Sequence, residues 1–243
     1  MSAIYIGTSG YSYSYWKGGF YPEKLRASEW LSYYSILFNS LELNNTFYRF
    51  PVKKNLKKAA EATPVDFRFS VKAHKIITHS LRMKNAKQKI SEFTDIVMEA
   101  IDEKLACILF QLPPSYSYSE ERLNDILESI EHLSRNVIEF RHSSWWNNEV
   151  YRSLQSCNLS FCSVSFPNLP EDDIRTSSLF YKRMHGVPVL FESAYSEKEI
   201  VSLADSIPAK YFSFIYFNNT TYGAGYSNAS YLTELVRRNR ELL

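Results

Sequence analysis

The sequence predicts an α/β protein, a single TIM-like (β/α)8 barrel over residues 1–243 whose outer helix ring is incomplete or irregular near residues 167–178. Three observations predict this fold class. Strand-like and helix-like patterns alternate along the chain, eight strand candidates occur, and the length of 243 residues matches one closed barrel. We expect one domain with one large core, because 45% of the residues are hydrophobic.

The strand candidates are short runs that are rich in β-branched and aromatic residues, the types that pack well on a pleated surface. Eight such runs are what a closed parallel barrel requires. They are Ala3–Thr8, Ser40–Asn44, Phe67–Lys72, Ala106–Gln111, Val137–Arg141, Ser160–Val164, Leu179–His185 and Phe212–Asn218.

Seven helical patterns lie between or after these strands, and their strict alternation with strands favours βα units and a parallel sheet. Ser28 and Ser119 are candidate N-caps, and Ser196 with Glu199 has the spacing of a capping box. The predicted helices are Ser28–Phe38, Val52–Ala62, Ala86–Glu103, Ser119–Leu133, Asn147–Ser156, Ser196–Ser206 and Asn228–Asn239.

Several apolar runs end in charged, amide or imidazole side chains, and this pattern predicts a site at the carboxyl ends of the strands. Glu42 and Glu139 are candidates for the acid and the base, and Lys72 and His185 complete the predicted catalytic group. Cationic side chains there, Arg141 among them, are expected to hold negative charge on a substrate. The alternative is a structural ring of salt bridges that closes the barrel end.

Further residues near the strand ends are predicted to bind the substrate. The aromatic members offer flat surfaces on which a base or a sugar could stack, and packing of these rings against the barrel top is the alternative. The predicted substrate-binding residues are Thr8, Gly10, Tyr11, Trp16, Asn44, Tyr48, His79, Gln111, Arg141, Trp145, Arg183, Gly186, Asn218 and Asn219.

The glycines lie in strand 1 or in the loops after strands 1, 7 and 8, which are neighbours in a closed barrel. Gly10 and Gly186 are among them, and their backbone amides could cradle a phosphate. The alternative is ordinary turn glycine, which is needed wherever φ is positive.

Three histidines, His79, His142 and His185, fall at or just after strand ends, where Glu42 and Glu139 could join them as metal ligands. Short metal-binding motifs such as HxH or HExxH do not occur. Loop histidines without a metal are the commoner case, so the sequence assigns neither a metal nor a cofactor.

The formal net charge is only +2, but the charge is unevenly distributed. Residues 49–89 contain twelve lysines or arginines and two acids, whereas residues 92–131 contain ten acids and two bases. The basic stretch is either the wet face of an amphipathic helix or a patch that guides a polyanion such as nucleic acid.

Absent features narrow the functional classes. The sequence has neither a phosphate-loop motif nor a GxSxG elbow, which disfavours NTPases and serine hydrolases. The segment Gly223–Asn228 is an incomplete dinucleotide fingerprint that follows the last strand. Cys107, Cys157 and Cys162 form no CxxC pair and are expected to be core thiols. Without a signal-like or membrane-spanning stretch, we expect a cytoplasmic protein and no membrane partner.

A set of short motifs spread along nearly the whole chain is similar to the pattern of one known family. The motifs are Ile6–Tyr11, Trp16, Gly19–Pro22, Glu42–Arg49, Pro51, Phe67–Phe69, Lys72, Ile77–His79, Phe110–Pro114, Glu139–His142, Ser144–Trp146, Arg183, His185, Gly186, Phe217–Asn219, Asn228 and Ala229. In these residues the chain resembles the domain-of-unknown-function 72 (YecE-like) family. The resemblance implies a TIM-like barrel and brings no established activity.

Two positions depart from the family pattern. Val164–Pro167 stands where relatives often have an aspartate after strand 6, and Thr220 stands where they often have a histidine. Both changes weigh against a metal site built from several carboxylates and histidines.

The leading functional hypothesis is an enzyme that binds a small anionic or phosphorylated substrate, either a phosphodiester or nucleic acid or a phosphosugar, at the carboxyl-terminal face of the barrel. A hydrolase or an isomerase would fit. The rival is a non-catalytic protein that uses the same face to bind an anion or a nucleic acid. The sequence leaves the oligomeric state undetermined.

Overall fold

Eight parallel strands form a nearly closed barrel in the computed structural model, which describes residues 3–130 and 135–241. Neighbouring strands follow the order β1-β8-β7-β6-β5-β4-β3-β2, as in a TIM barrel, and the predicted fold class is confirmed. The strands are β1 (Ile4–Thr8), β2 (Ser40–Leu43), β3 (Arg68–Lys72), β4 (Leu105–Gln111), β5 (Asn136–Glu139), β6 (Ser160–Ser165), β7 (Leu179–Met184) and β8 (Phe212–Phe217).

Helices surround the barrel, and each predicted helix has a counterpart. They are α1 (Trp30–Leu37), α2 (Asn45–Tyr48), α3 (Lys53–Glu61), α4 (Lys87–Ile101), α5 (Glu120–Ser129), α6 (Asn148–Ser156), α7 (Glu197–Ser206) and α8 (Ala224–Glu241).

The helix starts test the predicted caps. Ser119 and Ser196 accept bonds from backbone N–H groups of α5 and α7, so both predicted N-caps are confirmed. The prediction for Ser28 is wrong, because Glu29 bonds back to Arg26 and closes a 3-10 turn before α1. Residues 131–133 of the predicted helix Ser119–Leu133 lie outside the described residues.

The outer ring is irregular where the sequence predicted it. Residues 166–178, all of them described, contain no helix between β6 and β7. Instead, the Thr176 hydroxyl accepts from the Phe161 amide at 2.8 Å and donates to the Leu159 carbonyl at 2.6 Å, which holds the segment along β6. A cavity of about 380 Å³ lies at this position, lined in part by Glu171, Asp173 and Lys182.

The junction of β1 and β2 is joined by side chains as well as by backbone. Asn39 accepts from the Ile6 amide at 2.8 Å and donates to the Ile4 carbonyl at 2.9 Å. The Tyr34 hydroxyl accepts from the Thr8 amide at 2.8 Å. These bonds satisfy backbone groups of β1 that a regular ladder would pair.

Gly7 permits this junction to close. A Cβ atom at this position would lie 1.9 Å from the Ser40 carbonyl oxygen, well inside van der Waals contact. The strands can therefore approach each other only where β1 carries no side chain.

Apolar side chains fill the space between strands and helices, and a smaller apolar cluster that includes Cys107, Val137, Cys162 and Tyr181 lies inside the barrel. Polar residues follow it at the carboxyl ends of the strands, where the site is built. Among helices of the described residues, none has the length and apolar character that a membrane crossing needs.

Candidate functional site

A buried arginine joins both predicted catalytic carboxylates. Arg183 on β7 donates from one terminal nitrogen to Glu139 on β5 and from the other to Glu42 on β2, each at 2.6 Å. The side chains of all three residues are at most 1% exposed. Charges buried this deeply need close partners, and each carboxylate has a guanidinium partner. We call Glu42, Glu139 and Arg183 the inner network.

Glu42 is saturated with donors. Besides Arg183, the Ser9 hydroxyl donates to Oε1 and the Tyr181 hydroxyl donates to Oε2, both at 2.7 Å. Burial, and then the Glu42 carboxylate, raise the pKa of Tyr181 well above its usual value, so the phenol keeps its proton for this bond. A carboxylate enclosed in this way has no free face for proton transfer, and its contacts fit an anchor for Arg183.

Glu139 lies closer to the mouth, where Arg141 Nε also donates to it. Burial alone would raise the pKa of the Glu139 carboxyl, but the Arg141 and Arg183 guanidiniums hold it well below its usual value. Glu139 is therefore ionised across the physiological range and fixes both arginines.

His185 is fully buried behind Arg141. Asn218 Nδ2 lies 2.9 Å from Nδ1, and Nε2 lies 3.2 Å from both Glu139 Oε1 and Arg141 Nη2. Burial, followed by the Arg141 and Arg183 charges, lowers the pKa of His185 well below its usual value. His185 is therefore neutral and contacts the Glu139 carboxylate and the Arg141 guanidinium beside it.

Lys72 at the end of β3 differs from the two arginines. Its ammonium donates to Gln111 Oε1 at 2.7 Å and lies 4.2 Å from the centre of the Phe47 ring. Within the described part of the chain, no carboxylate lies within ion-pair distance of it. Burial, and then the Arg183 charge, lower the pKa of Lys72 to about 7. Lys72 can therefore gain or lose a proton near neutral pH.

His79 lies beside Lys72 on a π-helical turn, residues 76–80, a form that is frequent at functional sites. Its ring centre is 4.9 Å from that of Phe47, and Nδ1 is 2.9 Å from the Thr78 hydroxyl. Burial, and then the charges of Lys72 and Arg141, lower the pKa of His79. We call Lys72, His79, Gln111 and Arg141 the mouth cluster.

The two groups together carry a surplus of positive charge. There are three cations, Arg141, Arg183 and protonated Lys72, and two carboxylates, Glu42 and Glu139. The imidazoles of His79 and His185 are neutral. The carboxylates are occupied by the arginines, so the unmatched charge is at Lys72. An anion that enters the mouth would meet uncompensated positive charge in a partly buried setting, where such attraction is strong.

The strands that carry these groups lie within a region that matches a family model. The model described as "Protein of unknown function DUF72" matches residues 5–243. The chain belongs to the DUF72 family. The match confirms the family resemblance that the sequence motifs indicated.

Solved DUF72 structures have the same architecture. A DUF72 family protein from Thermotoga maritima is 30% identical, with a TM-score of 0.87 over 96% of this chain and 99% of that one. A second, from Enterococcus faecalis, is 19% identical with a TM-score of 0.80 over 97% and 96% of the two chains, and it supports the fold alone.

A curated relative, UPF0759 protein YunF from Bacillus subtilis, is 29% identical over 161 residues, which are 63% of this chain. The matched region spans 56% of the length of YunF.

Two of the aromatic residues predicted to bind substrate are packing residues in this DUF72 protein. Trp16 and Trp145 are 0% exposed, and their indole N–H groups donate to the carbonyls of Thr220 and Tyr116. A ring enclosed on all sides cannot stack on a ligand. Tyr48 in contrast is exposed.

The backbone-amide pocket predicted at the glycines is already occupied by the protein itself. The Gly10 amide donates to the Glu42 carbonyl and the Gly186 amide donates to the Tyr195 hydroxyl, both at 2.9 Å. Their positive φ values, 91° and 88°, fit the turn alternative.

The remaining residues predicted to bind substrate differ in whether their polar groups are already bonded within the protein. The Thr8 hydroxyl donates to the Gly10 carbonyl at 2.6 Å, and the Tyr11 carbonyl accepts from Tyr21. Asn219 Nδ2 donates to the Ser193 carbonyl in the loop after β7, but the oxygens of Asn44 and Asn219 are buried without a partner among the described residues. Both amides could accept a bond from water or a ligand.

The metal hypothesis finds little support in the DUF72 site. Among the described residues, no three His, Cys, Asp or Glu side chains are grouped as a metal site requires. His142, one of the proposed ligands, accepts from the Ser144 amide and caps a turn.

The prediction of core thiols is confirmed for two of the three cysteines, whereas Cys157 is only partly buried. Cys107 and Cys162 are fully buried, and burial raises the pKa of both thiols. A nucleophilic thiol needs the opposite shift.

Residues outside the predicted catalytic and substrate-binding sets support the inner network. Ser9 bonds Glu42, and the Tyr216 hydroxyl contacts the hydroxyls of Ser40 and Ser70 beneath it. Serine and tyrosine within apolar strands carry no distinguishing motif. The available signal was the two-residue strand period, which places Tyr181 on the same face as Arg183.

Proposed function

We propose that this protein is an enzyme that acts on a phosphate-bearing small molecule at the carboxyl-terminal face of its barrel. The observation that carries the proposal is Lys72, a partly buried amine that has no carboxylate partner in the described part of the chain and lies close to Arg141. Arg141 is held by Glu139 and lies with its guanidinium carbon 4.3 Å from the centre of the Phe166 ring, so its direction is fixed. A guanidinium held in one direction can donate two parallel hydrogen bonds to two oxygens of a phosphate group.

The proton-transfer role in this proposal belongs to Lys72. The Glu42 and Glu139 carboxylates are engaged by arginines, whereas the pKa of Lys72, lowered to about 7, lets this amine take up or release a proton at neutral pH. His185 and Glu139 then serve as positioning residues, and Arg141 binds the phosphate.

A titration with inorganic phosphate tests the binding step. We expect millimolar or tighter binding to the wild-type protein and at least about tenfold weaker binding to Arg141→Met, a loss of roughly 1.4 kcal/mol. Arg26→Met, which removes an exposed arginine paired with Glu29, is the matched control and should bind as the wild type does. No binding to the wild-type protein at millimolar concentration would contradict the proposal.

Turnover is tested by following phosphosugars and a dinucleotide by phosphorus NMR. Conversion by the wild-type protein and by Arg26→Met, with loss in Lys72→Met, would support an enzyme. Binding of phosphate without conversion of any phosphorylated compound would instead favour the non-catalytic anion-binding protein.

A nucleic-acid substrate or partner is the second candidate. The observation in its favour is the exposed basic side chains of Arg49, Lys75 and Arg82, which lie in the loops that follow β2 and β3 at the mouth side of the barrel. Phosphate contacts of this kind make binding fall steeply with salt. A single-stranded oligonucleotide that binds at low salt, and less well to an Arg49→Ala/Arg82→Ala variant, would support it.

A further inference from the structure

The surroundings of Lys72 point to more than charge attraction. Among the described residues its Nζ atom has one hydrogen-bond partner, the neutral amide oxygen of Gln111, and it lies against the Phe47 ring. The side chain is only partly buried, so the amine borders the mouth. A primary amine held between an amide and an aromatic ring can react as a nucleophile once its proton is lost.

Loss of that proton is favoured by the groups around it. Burial and the charges of Arg183 and Arg141 lower the pKa of Lys72 to about 7, although Glu139 and Glu42 act in the opposite direction. A substantial fraction of the amine is therefore neutral at physiological pH. An ordinary exposed lysine is almost fully protonated there.

We propose that Lys72 forms a Schiff base with an aldehyde or ketone that also bears a phosphate group, with the phosphate bound by Arg141. This proposal rests on the proposed function and names the substrate class as a phosphorylated carbonyl compound. Lys72 is the last residue of β3, Arg141 lies two residues after β5, and the Arg141 charge acts on the Lys72 amine, so the proposal places both at the same mouth.

The covalent step balances without any other reagent. The lone pair of Nζ attacks the carbonyl carbon, a C–N bond forms, and the carbonyl oxygen takes up a proton to give a carbinolamine. Loss of the hydroxyl group with a further proton releases one water molecule and leaves the C=N bond. The two protons that leave Nζ are the two that depart in this water.

His79 is placed to carry these protons. The centre of the His79 ring lies 4.9 Å from the centre of the Phe47 ring, and Lys72 Nζ lies 4.2 Å from that same centre. Burial and the charges of Lys72 and Arg141 lower the pKa of His79, which keeps the imidazole neutral and able to accept a proton.

Reductive trapping tests the proposal. The full chain is incubated with glycolaldehyde phosphate and sodium cyanoborohydride, which converts an imine to a stable secondary amine, and the adduct is located by peptide mass spectrometry. We expect one adduct per chain at Lys72, formed at least about ten times faster than with unphosphorylated glycolaldehyde. The trapping rate should rise with pH to a plateau just above about pH 7, not above pH 9.

Matched variants separate Lys72 from other lysines. Lys72→Arg keeps the positive charge and should lose the adduct, whereas Lys53→Arg, on the exposed face of α3, should keep it. Because the adduct is mapped in the wild-type protein, the result does not depend on the folding of Lys72→Arg. Adducts spread over exposed lysines without preference for Lys72 would overturn the proposal.

The phosphate titration distinguishes the two proposals. Phosphate binding that depends on Arg141, without an adduct at Lys72, overturns the Schiff base and leaves the proposed function standing. Absence of both contradicts both proposals. An adduct at Lys72 that forms equally fast with and without the phosphate group overturns the phosphorylated substrate class.

Discussion

The Lys72 ammonium donates a hydrogen bond to the amide oxygen of Gln111 at 2.7 Å, and this bond joins the carboxyl ends of the adjacent strands β3 and β4. A neutral amide balances none of the lysine charge, in contrast to the carboxylates that hold Arg141 and Arg183. Lys72 is therefore the group in the mouth cluster whose charge responds to pH and to a ligand.

The free energy of unfolding should depend on pH because the pKa of Lys72 is lowered in the folded protein. Between its folded pKa of about 7 and its ordinary value of 10.5, the unfolded chain binds a proton that the folded chain has released, so the contribution of this group to stability rises with pH. Lys72→Met is expected to raise the free energy of unfolding by about 1–2 kcal/mol near pH 6 and by less near pH 9.

Urea unfolding at both pH values measures this difference. Lys53→Met, which removes an exposed lysine, is the control and should have little pH-dependent effect. An equal effect of Lys72→Met at the two pH values would mean that its pKa is not lowered.

The inner network should be sensitive to the loss of its shared cation. Arg183→Met leaves two fully buried carboxylates with one guanidinium fewer, and we expect unfolding to become easier by about 3–5 kcal/mol. Adding Glu42→Gln should restore part of this stability, because the variant then buries one negative charge less. Denaturant unfolding of the single and double variants measures the recovery, and a double variant less stable than Arg183→Met would contradict the charge argument.

The junction between β1 and β2 should depend on the Tyr34 hydroxyl. Tyr34→Phe leaves the buried Thr8 amide without its acceptor and the Ser40 carbonyl without one donor, which is expected to cost about 1–3 kcal/mol. Tyr33→Phe, at the preceding and partly exposed position, is the control. Thermal unfolding compares the two, and equal midpoints would argue against a role of the hydroxyl in closing the barrel.

Gly7 should be irreplaceable for a steric reason. In Gly7→Ala the new Cβ would lie 1.9 Å from the Ser40 carbonyl oxygen, so the strands must separate, and we expect a loss of at least about 3 kcal/mol or failure to fold. In Gly19→Ala the nearest atom is the Tyr226 hydroxyl, the end of a side chain that can move. Circular dichroism with thermal unfolding should therefore show a much smaller effect at Gly19.

Local patterns were sufficient to predict most of the fold. The capping box of Ser196 and Glu199 forms as the spacing indicated, with the Glu199 carboxylate 2.8 Å from the Ser196 amide. The absence of a helical pattern in 167–178 predicted the irregular ring position. Such features depend on neighbours within a few residues, which a single sequence displays. Ser28 was misjudged, because Arg26 and Glu29 close a competing turn.

The gathering of polar groups at the carboxyl ends of parallel strands could be predicted from the sequence, because strand order and the two-residue period fix which side chains face the mouth. The pairing of these polar groups became apparent from the three-dimensional arrangement of the barrel. Arg183 is 141 residues from Glu42 along the chain, and barrel closure brings them to 2.6 Å. The pairing leaves Lys72 without a carboxylate, since charge balance in a buried site depends on distances that no sequence pattern encodes.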